Sequence, residues 1–455
     1  MKRESVNNLG IRIEQDLLGE VAVPANRLFG AQTQRATENF PLSRKPISEL
    51  THLIIALAQV KKACAIVNSE NGEIAASIGA HIAQSCDEVI GGEWRKEFPV
   101  DVLQGGAGTS TNMNMNEVLA NRALVLAGFE PGRYDIIHPN DHVNRNQSTN
   151  DVYATAVRIA CFRLNETLIT GIDALAAAFE DKATAFAGIR KLGRTQLQDA
   201  VTIDLADEFR AFAHSLAEDA HRGGEMGLLF SEVNLGGTAV GTGIGASSAY
   251  CDRIIPALAN ITGIKVVRST NLYEASWDMG LFVLYSGFLK RLASKLSKIC
   301  NDLRLLASGP RGGLGEIILP GRQAGSSLMP GKVNPVIPEA VNQVAFRVFG
   351  LDVAITFAAE GGQLQLNAFE PLIIASLHEG IELLAAAMDM LRTNCIVGLE
   401  ADRAQCESTV DNSLAGATQL VSELGYVAAA EIAKLAQHNR GSLDDAIQTW
   451  NSRNR

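Results

Sequence analysis

The sequence has few aromatic residues and no excess of basic charge. Phenylalanine, tyrosine and tryptophan make up 5% of the 455 residues, whereas apolar residues as a whole make up 47%. Abundant small and aliphatic side chains in place of large rings favour helices that pack closely. The 50 acidic and 40 basic residues give a formal net charge of −10, which excludes the broad basic surface expected of a nucleic-acid-binding protein. Any anionic ligand must therefore be bound by a few local cations and dipoles.

The sequence also lacks paired cysteines and long apolar runs. Its seven cysteines are odd in number and form no CxxC pair, so they predict neither a disulfide framework nor a zinc site. The first residues, MKRESVNNLG, contain no apolar signal segment, and the longest uncharged run, Val233–Cys251, contains five glycines. These absences predict a cytoplasmic protein with no membrane partner and no nucleic acid partner.

The spacing of apolar residues predicts a mainly α-helical protein. Between about residue 150 and residue 390, apolar residues recur at alternating steps of three and four. The clearest stripes lie within Leu164–Phe179, Leu289–Leu306 and Leu377–Leu391. Because helices of this length bury such stripes only against one another, we expect a central bundle whose stripes form core and bind no cofactor.

Changes of pattern along the chain predict three domains. Residues 1–144 mix strand-like pieces, IRIEQDLL and GEVAVP, with a helical stretch at Leu53–Asn68, which indicates a mixed N-terminal domain. Residues 145–391 form the predicted helical bundle domain. Residues 392–455 form a small, Ala-rich, helical C-terminal domain.

Two Gly-rich segments look like nucleotide sites but fail in detail. Gly241–Ala246 has the glycines of a dinucleotide fingerprint, but no clear strand precedes it and no acidic residue lies near position 265. Gly325–Lys332 has five residues between its glycines instead of the four of a phosphate loop, and Val333 follows where Ser or Thr is required. No nucleotide cofactor is predicted. None of the eight histidines lies in an HExxH arrangement, and no metal ligand set is predicted.

Polar residues are concentrated in clusters that lie far apart along the chain. Each cluster carries hydroxyls or amides beside glycine or proline, as do loops and helix N-termini that direct donors at an anion. Helix capping explains any single cluster better, but several such clusters in one chain favour a carboxylate-binding site. The clusters are Gly105–Glu117, His138–Asp151, Gly193–Ala200 and Gly325–Asn334.

These clusters resemble, in the same order, the signature segments of the aspartase/fumarase superfamily. The segments are GTSTNMNMNEVLAN, HPNDHVNRNQSTND, GRTQLQDA and GSSLMPGKVNPVIPEAVNQV, and the resemblance runs roughly from Arg12 to Lys434. NPVIPEAVNQV, AAEGGQLQLNAFEP and KICNDLRLLASGPRGGL are most similar to the aspartate ammonia-lyases of the family. FGAQTQRATENFP, and the Gly331 that precedes the lysine, are more similar to fumarases.

The resemblance implies the reversible elimination of ammonia from L-aspartate to give fumarate, without an organic cofactor. The alternatives are hydration of fumarate to L-malate, a lyase for a substituted aspartate, and a non-catalytic structural protein. Intact Ser326, Lys332 and Asn334 disfavour the structural role. Gln196 replaces a histidine that many fumarases and some aspartases carry, and because glutamine cannot shuttle a proton at neutral pH, its presence favours ammonia over water.

By the same resemblance, Ser326 would be the catalytic base, used as an alkoxide that backbone N–H groups and Lys332 stabilise. Proton removal next to a carboxylate would build a dianionic aci-carboxylate, whose charge must be met by donors already in place. The remaining predicted roles are one carboxylate bound by Thr109, Ser148, Thr149 and Ser327, the other bound by Thr195, Lys332 and Asn334, and the amine facing Asn150 and Gln196.

The resemblance also implies a three-domain fumarase/aspartase-like fold that assembles into a homotetramer. The central bundles would form a twenty-helix core, and each active site would draw residues from three subunits. VTIDLADEF at Val201–Phe209 departs from the family's usual sequence, which leaves the substrate open. We also expect the C-terminal domain to be shorter than in typical relatives.

Overall fold

A computed structural model of the chain describes residues 10–439 and 442–453, and long α-helices dominate it. The predicted mainly α-helical class is confirmed. The N-terminal third contains β1 (Ile11–Asp16), β2 (Gly19–Pro24), α1 (Ala31–Asn39), α2 (Thr51–Glu70), α3 (Ala76–Ile90) and α4 (Thr109–Leu126). A short π-helix at Pro139–Val143 follows.

The remaining elements include the longest helices. The middle of the chain contains α5 (Thr149–Ala185), β3 (Arg190–Thr195), β4 (Gln198–Asp204), α6 (Leu205–Leu229), β5 (Glu232–Val233), α7 (Ser248–Thr262), β6 (Val267–Arg268) and α8 (Gly280–Leu306). The final part contains β7 (Ile317–Ile318), α9 (Val336–Glu360), α10 (Glu370–Leu391), β8 (Glu400–Ala401), α11 (Arg403–Asp411), α12 (Ala417–Leu424), α13 (Tyr426–Asn439) and α14 (Leu443–Arg453).

The apolar stripes that predict the long helices are buried in those helices. Along α8, Leu292 and Leu303 are fully buried, and along α5 and α10 the same is true of Leu168 and Leu377. Since each stripe spans several turns, its burial fixes which face of the helix points inward. The predicted helix at Leu53–Asn68 is confirmed as part of α2.

The chain groups into two compact units built from non-consecutive segments. The first unit comprises Met1–Leu168, Gly223–Lys290 and Arg347–Glu382, and the second comprises Ile169–Arg222, Arg291–Phe346 and Leu383–Arg455. This division is made by contacts, whereas the predicted boundaries at residues 144 and 391 follow changes of pattern along the chain. The three-domain division stays a prediction.

The first unit begins with the antiparallel hairpin β1–β2, whose register pairs Ile11 with Pro24. The two strands confirm the predicted strand-like pieces. The buried carboxylate of Glu117 on α4 accepts hydrogen bonds from the backbone N–H groups of Gly30, Gln32 and Thr33 at 2.8, 2.8 and 3.1 Å. These donors are the free N–H groups at the start of α1, so Glu117 anchors that helix to α4.

The second unit contains two antiparallel strand pairs, β3–β4 and β7–β8. Its C-terminal helices α13 and α14 enclose a small core of Ile432, Ala436 and Ala446. Apart from β8, the described residues after Arg392 are therefore mostly helical, as the Ala-rich sequence indicates.

Two helical stretches, Val336–Glu360 and Glu370–Ile396, are long and apolar enough to cross a membrane by length and composition alone. The core helix of a soluble protein meets the same criterion, so this is weak support for a membrane span. The second stretch is mostly buried inside the protein.

Candidate active site

In the first unit, two helices begin at predicted substrate-binding residues. Thr109 is the first residue of α4, and Thr149 is the first residue of α5. The Asn112 side-chain amide donates to the Thr149 hydroxyl oxygen across 3.0 Å and so links the two helix starts. Helix N-termini carry free N–H groups and partial positive charge, which makes this pair a suitable place for a carboxylate.

Gly108 positions Thr109 through a close approach that no other residue could make. It has a φ of 84°, and a Cβ atom at this position would lie 2.5 Å from the ring of Tyr153. Tyr153 is fully buried on the first turns of α5. The glycine therefore allows the start of α4 to pack directly on α5.

Ser148 and Asp151 cap the start of α5 reciprocally. The Ser148 N–H donates to Asp151 Oδ1 across 2.9 Å, and the Asn150 N–H donates to the Ser148 hydroxyl across 3.3 Å. The other oxygen of Asp151 accepts from the backbone N–H groups of Gly236 and Thr238 at 2.9 and 3.1 Å. Burial raises the pKa of the Asp151 carboxyl, whereas the three backbone donors favour its ionised form. Asp151 thus links the Ser148–Asn150 loop to the backbone at Gly236 and Thr238.

The sequence did not reveal the buried cation behind these helix starts, Lys61 of α2. It is fully buried, and its ammonium donates to Asn144 Oδ1 and Gln147 Oε1 across 2.9 and 2.8 Å. Asn144 Oδ1 also accepts from Asn112 and Asn116, at 3.3 and 3.1 Å. The available signal was the position of Lys61 four residues after buried Leu57, on the apolar face of a strongly apolar helix.

In the second unit, the hydroxyl of Ser326 faces two backbone donors. The N–H groups of Leu328 and Met329 donate to Ser326 Oγ across 3.2 and 3.1 Å. The Ser326 N–H donates to the Lys332 carbonyl, so the loop turns back on itself. Backbone N–H groups directed at a hydroxyl oxygen stabilise negative charge on it, which an alkoxide base requires.

The apolar tip of this loop is exposed. Leu328 is 85% exposed, and Met329 and Val333 are about half exposed. Ser327 and Lys332 are also exposed. Lys332 and Asn334 line a cavity of about 470 Å³. The other residues that line this cavity include Arg304, Ser308, Pro310, Ile317, Pro320 and Glu339.

The segment that carries Thr195 and Gln196 is a β-hairpin. Its sequence suited a loop or a helix start, but the structure places Thr195 at the end of β3 and Gln196 in the turn before β4. Gln196 and Leu197 have φ values of 54° and 61°, a conformation that turns of this kind usually fill with Asn or Gly. The sequence signal for a tight hairpin was therefore missing. Thr195 lines a cavity of about 520 Å³.

A buried ionic cluster supports the base of this hairpin. Glu316 is fully buried and lies 3.0 Å from Lys191 Nζ and 2.7 Å from the Arg194 guanidinium. Lys191 also pairs with Glu208 across 2.5 Å. Because both cations belong to β3, the cluster fixes the strand that ends at Thr195.

The structure thus brings the predicted residues together in separate groups. Thr109 and Ser148–Asn150 lie in the first unit. Thr195, Gln196 and the loop from Ser326 to Asn334 lie in the second unit, where Thr195 lines a different cavity from Lys332. Their union in one substrate site stays a prediction. Among the described residues, no group of three or more His, Cys, Asp or Glu side chains could hold a metal ion.

Comparison with known proteins decides the family. Residues 19–350 match a family model described as Lyase. The chain is 53% identical over 435 residues to aspartate ammonia-lyase of Pseudomonas fluorescens, a match that covers 95% of the chain and 91% of that relative. The chain belongs to the aspartase/fumarase superfamily. This superfamily enzyme is also 48% identical over 438 residues to aspartate ammonia-lyase of Escherichia coli K12, with 96% of the chain and 92% of the relative covered.

Solved structures with the superfamily fold match nearly the whole chain. A cobalt-bound fumarate lyase:delta crystallin from Brucella melitensis has a TM-score of 0.95 at 52% identity, and covers 97% of this chain and 96% of its own. Recombinant class II fumarase from Schistosoma mansoni has a TM-score of 0.93 at 32% identity, with the same shares covered. The fumarase/aspartase-like fold and the likeness to aspartate ammonia-lyases, both predicted from the sequence, are confirmed.

Proposed function

We propose that this superfamily enzyme is a carbon–nitrogen lyase that reversibly eliminates ammonia from L-aspartate to give fumarate. The observation that carries the proposal is the identity of about half to aspartate ammonia-lyases over nearly the full length of both chains. Gln196 supports it, because an amide can orient an ammonium group but cannot move a proton to or from water at neutral pH.

In the proposed mechanism, Ser326 acts as the base in its alkoxide form. The alkoxide takes the proton from the carbon next to one carboxylate, and the electron pair of that C–H bond moves into the carboxylate to give a dianionic aci-carboxylate. The electron pair then returns to form the C=C bond as the C–N bond breaks, and ammonia leaves with its bonding pair. The N–H groups of Leu328 and Met329 support this role, because both already point at the serine oxygen.

The donors predicted to bind substrate supply the remaining charge stabilisation. Thr109, Ser148, Thr149 and Ser327 would bind the carboxylate that becomes dianionic, while Thr195, Lys332 and Asn334 would bind the other one. Two helix N-termini at Thr109 and Thr149 favour an anion at the first position. Charge that develops there is met without reorganisation, so no organic cofactor is needed to hold the electron pair.

We further propose a homotetramer in which three subunits complete each site. The exposed apolar surface of α9 supports assembly, since Val353 is 54% and Phe357 is 71% exposed on the same helix face. Exposed apolar side chains on a long helix become buried when helices from several subunits pack together. A cytoplasmic location is consistent with seven cysteines that are all free.

Hydration of fumarate to L-malate is the second candidate. The similarity to class II fumarase from Schistosoma mansoni, 32% identical over 97% of the chain, favours it. The two reactions share proton abstraction beside a carboxylate and differ in the leaving group. By resemblance, Gln196 would face the leaving group.

The experiment offers purified protein L-aspartate, L-malate or neither, and follows fumarate by its ultraviolet absorbance. We expect fumarate to form from L-aspartate and not from L-malate. Fumarate formed from L-malate with none from L-aspartate would establish the hydratase in place of the ammonia-lyase. The absence of fumarate in all three, from a folded tetramer, would reject both.

A further inference from the structure

We propose that Lys61 is a positioning residue, which holds Asn144, and through Asn112 the hydroxyl of Thr149, in the orientation that donates to a substrate carboxylate. The inference rests on the proposed function, because it needs a carboxylate at the starts of α4 and α5. It adds a residue that does not itself touch the substrate.

Lys61 determines which atom of each neighbouring side-chain amide accepts a hydrogen bond. An ammonium group has only donors, so the side-chain oxygens of both Asn144 and Gln147 must point towards Lys61. The amide nitrogen of Gln147 then donates to the Val143 carbonyl across 2.9 Å, and that of Asn144 donates to the Gln147 carbonyl across 3.2 Å. Lys61 thereby fixes the loop immediately before Ser148.

Asn144 in turn determines the orientation of the Asn112 side chain, which contacts Thr149. Since Asn144 Oδ1 is an acceptor, the Asn112 side chain must turn its nitrogen towards it, at 3.3 Å. The Asn112 nitrogen also donates to Thr149 Oγ1 at 3.0 Å, and its own oxygen is buried without a hydrogen-bond partner among the described residues. A buried amide oxygen left without a partner costs free energy, which the lysine-directed arrangement must offset.

The consequence is a hydroxyl with its hydrogen free. Thr149 Oγ1 accepts from Asn112, and across the described residues the Thr149 hydroxyl donates no hydrogen bond. A hydroxyl carries one donor and accepts at its lone pairs, so this hydrogen is available to an acceptor outside the protein. A carboxylate oxygen at the N-terminus of α5 is such an acceptor.

The positive charge of Lys61 also favours a substrate carboxylate at the starts of α4 and α5. Its acceptors are two neutral amides, and the nearby Asp151 carboxylate is instead bonded to the backbone N–H groups of Ser148, Gly236 and Thr238. Burial lowers the pKa of Lys61 to about 8, so the ammonium form still predominates at neutral pH. The thiols of Cys64 and Cys86 also face it, and burial raises their pKa values, so they remain uncharged.

The test compares Lys61→Met with Lys62→Met, in which the same change is made one position along α2. Lys62 pairs with Asp87 across 2.6 Å and makes no hydrogen bond to Asn144 or Gln147, so it is a matched control. The probe is succinate, a saturated dicarboxylate that cannot undergo elimination, and its binding is measured by titration calorimetry. We expect Lys61→Met to weaken succinate binding about tenfold or more, and Lys62→Met to bind as the wild type does.

A double-mutant cycle separates positioning from general support of the fold. If Lys61 acts through Thr149, the losses of succinate affinity from Lys61→Met and Thr149→Ala will not add in the double variant. Additive losses would overturn the inference, as would wild-type affinity in Lys61→Met. If Lys61→Met does not fold, Asn112→Ala breaks the same link from the other side, and wild-type affinity in that variant would overturn the inference.

The outcome is distinguishable from failure of the proposed function. A wild-type protein that releases no fumarate from L-aspartate rejects the function. A wild-type protein that releases fumarate and binds succinate, alongside a Lys61→Met variant that binds succinate equally well, rejects only the role of Lys61.

Discussion

The backbone N–H of Ser326 donates to the carbonyl oxygen of Lys332 across 3.4 Å, and this contact closes the loop that carries both residues. Gly325 makes the closure possible. It has a φ of 70°, and a Cβ atom at this position would lie 1.8 Å from the same carbonyl oxygen. The serine and the lysine are therefore held in one turn by a residue that must be glycine.

Gly325→Ala is expected to lower kcat for aspartate at least tenfold, because the methyl group would displace Lys332 and open the turn. Steady-state kinetics with the fumarate assay measures the effect. Gly331→Ala is the control, since Gly331 also has a positive φ, of 80°, but no atom lies within 4 Å of the added Cβ. Equal effects from the two substitutions would show that backbone strain, and not the clash with Lys332, explains the loss.

Glu316→Gln is expected to destabilise the protein by about 3 kcal/mol, because it leaves buried Lys191 and partly buried Arg194 without the carboxylate between them. Urea denaturation followed by circular dichroism measures the change. Glu208→Gln is the matched control, because Glu208 is partly exposed and Lys191 would keep Glu316, so about 1 kcal/mol or less is expected. If Glu208→Gln lowered the free energy of unfolding more than Glu316→Gln does, Glu316 would not be the main carboxylate of this cluster.

Acid should destabilise the first unit through His378. Burial and the nearby His52, whose ring centroid is 6.0 Å away, lower the pKa of His378 to about 4. The unfolded chain takes up this proton below about pH 6.5 whereas the folded chain does not until about pH 4, so stability falls as the pH falls between these values. The contribution reaches about 3 kcal/mol at the acid end. Glu382, 3.3 Å from the ring, would oppose the shift if ionised, but burial and Glu49 raise its pKa.

The measurement for His378 is the melting temperature at about pH 7 and about pH 5. His378→Asn should show a smaller drop on acidification than the wild type, because its side chain does not titrate. His214→Asn, a change at a histidine that is 78% exposed, should show the wild-type drop. A drop that is the same in all three proteins would assign the acid sensitivity to other groups.

Phe357→Glu is expected to prevent assembly and abolish activity, because it places a charge on the exposed apolar face of α9. Light scattering gives the mass in solution and the fumarate assay gives the activity. Val427→Glu, at an equally exposed apolar residue of α13, should leave both unchanged. A Phe357→Glu protein that is tetrameric and active would remove this face of α9 from the proposed interface.

Much of the helical core could be predicted from the sequence. Stripes such as Leu292, Ile299 and Leu303 repeat over many turns, so their period identifies both the helix and its buried face. The segments around Thr109, Ser148 and Ser326 could also be identified, because glycine, proline and hydroxyl residues concentrate there. The grouping into two units could not, since it depends on contacts between segments far apart in the chain.

The sequence was less informative where a residue adopts a state that is rare for its type. Gln196 and Leu197 occupy left-handed backbone conformations, so no Asn-Gly or similar pair marks their hairpin turn. Lys61 is a charged residue in the core, and its partners Asn144 and Gln147 come from a segment more than 80 residues away. Neither feature follows from local propensity, because tertiary contacts decide both.

The turnover of L-aspartate by Ser326→Ala tests the base most directly. In an intact tetramer with an unchanged melting temperature, we expect kcat to fall by about a thousandfold or more, because no other group replaces the alkoxide. Ser327→Ala should instead weaken substrate binding and keep measurable turnover. Wild-type kcat in Ser326→Ala would show that another group removes the proton.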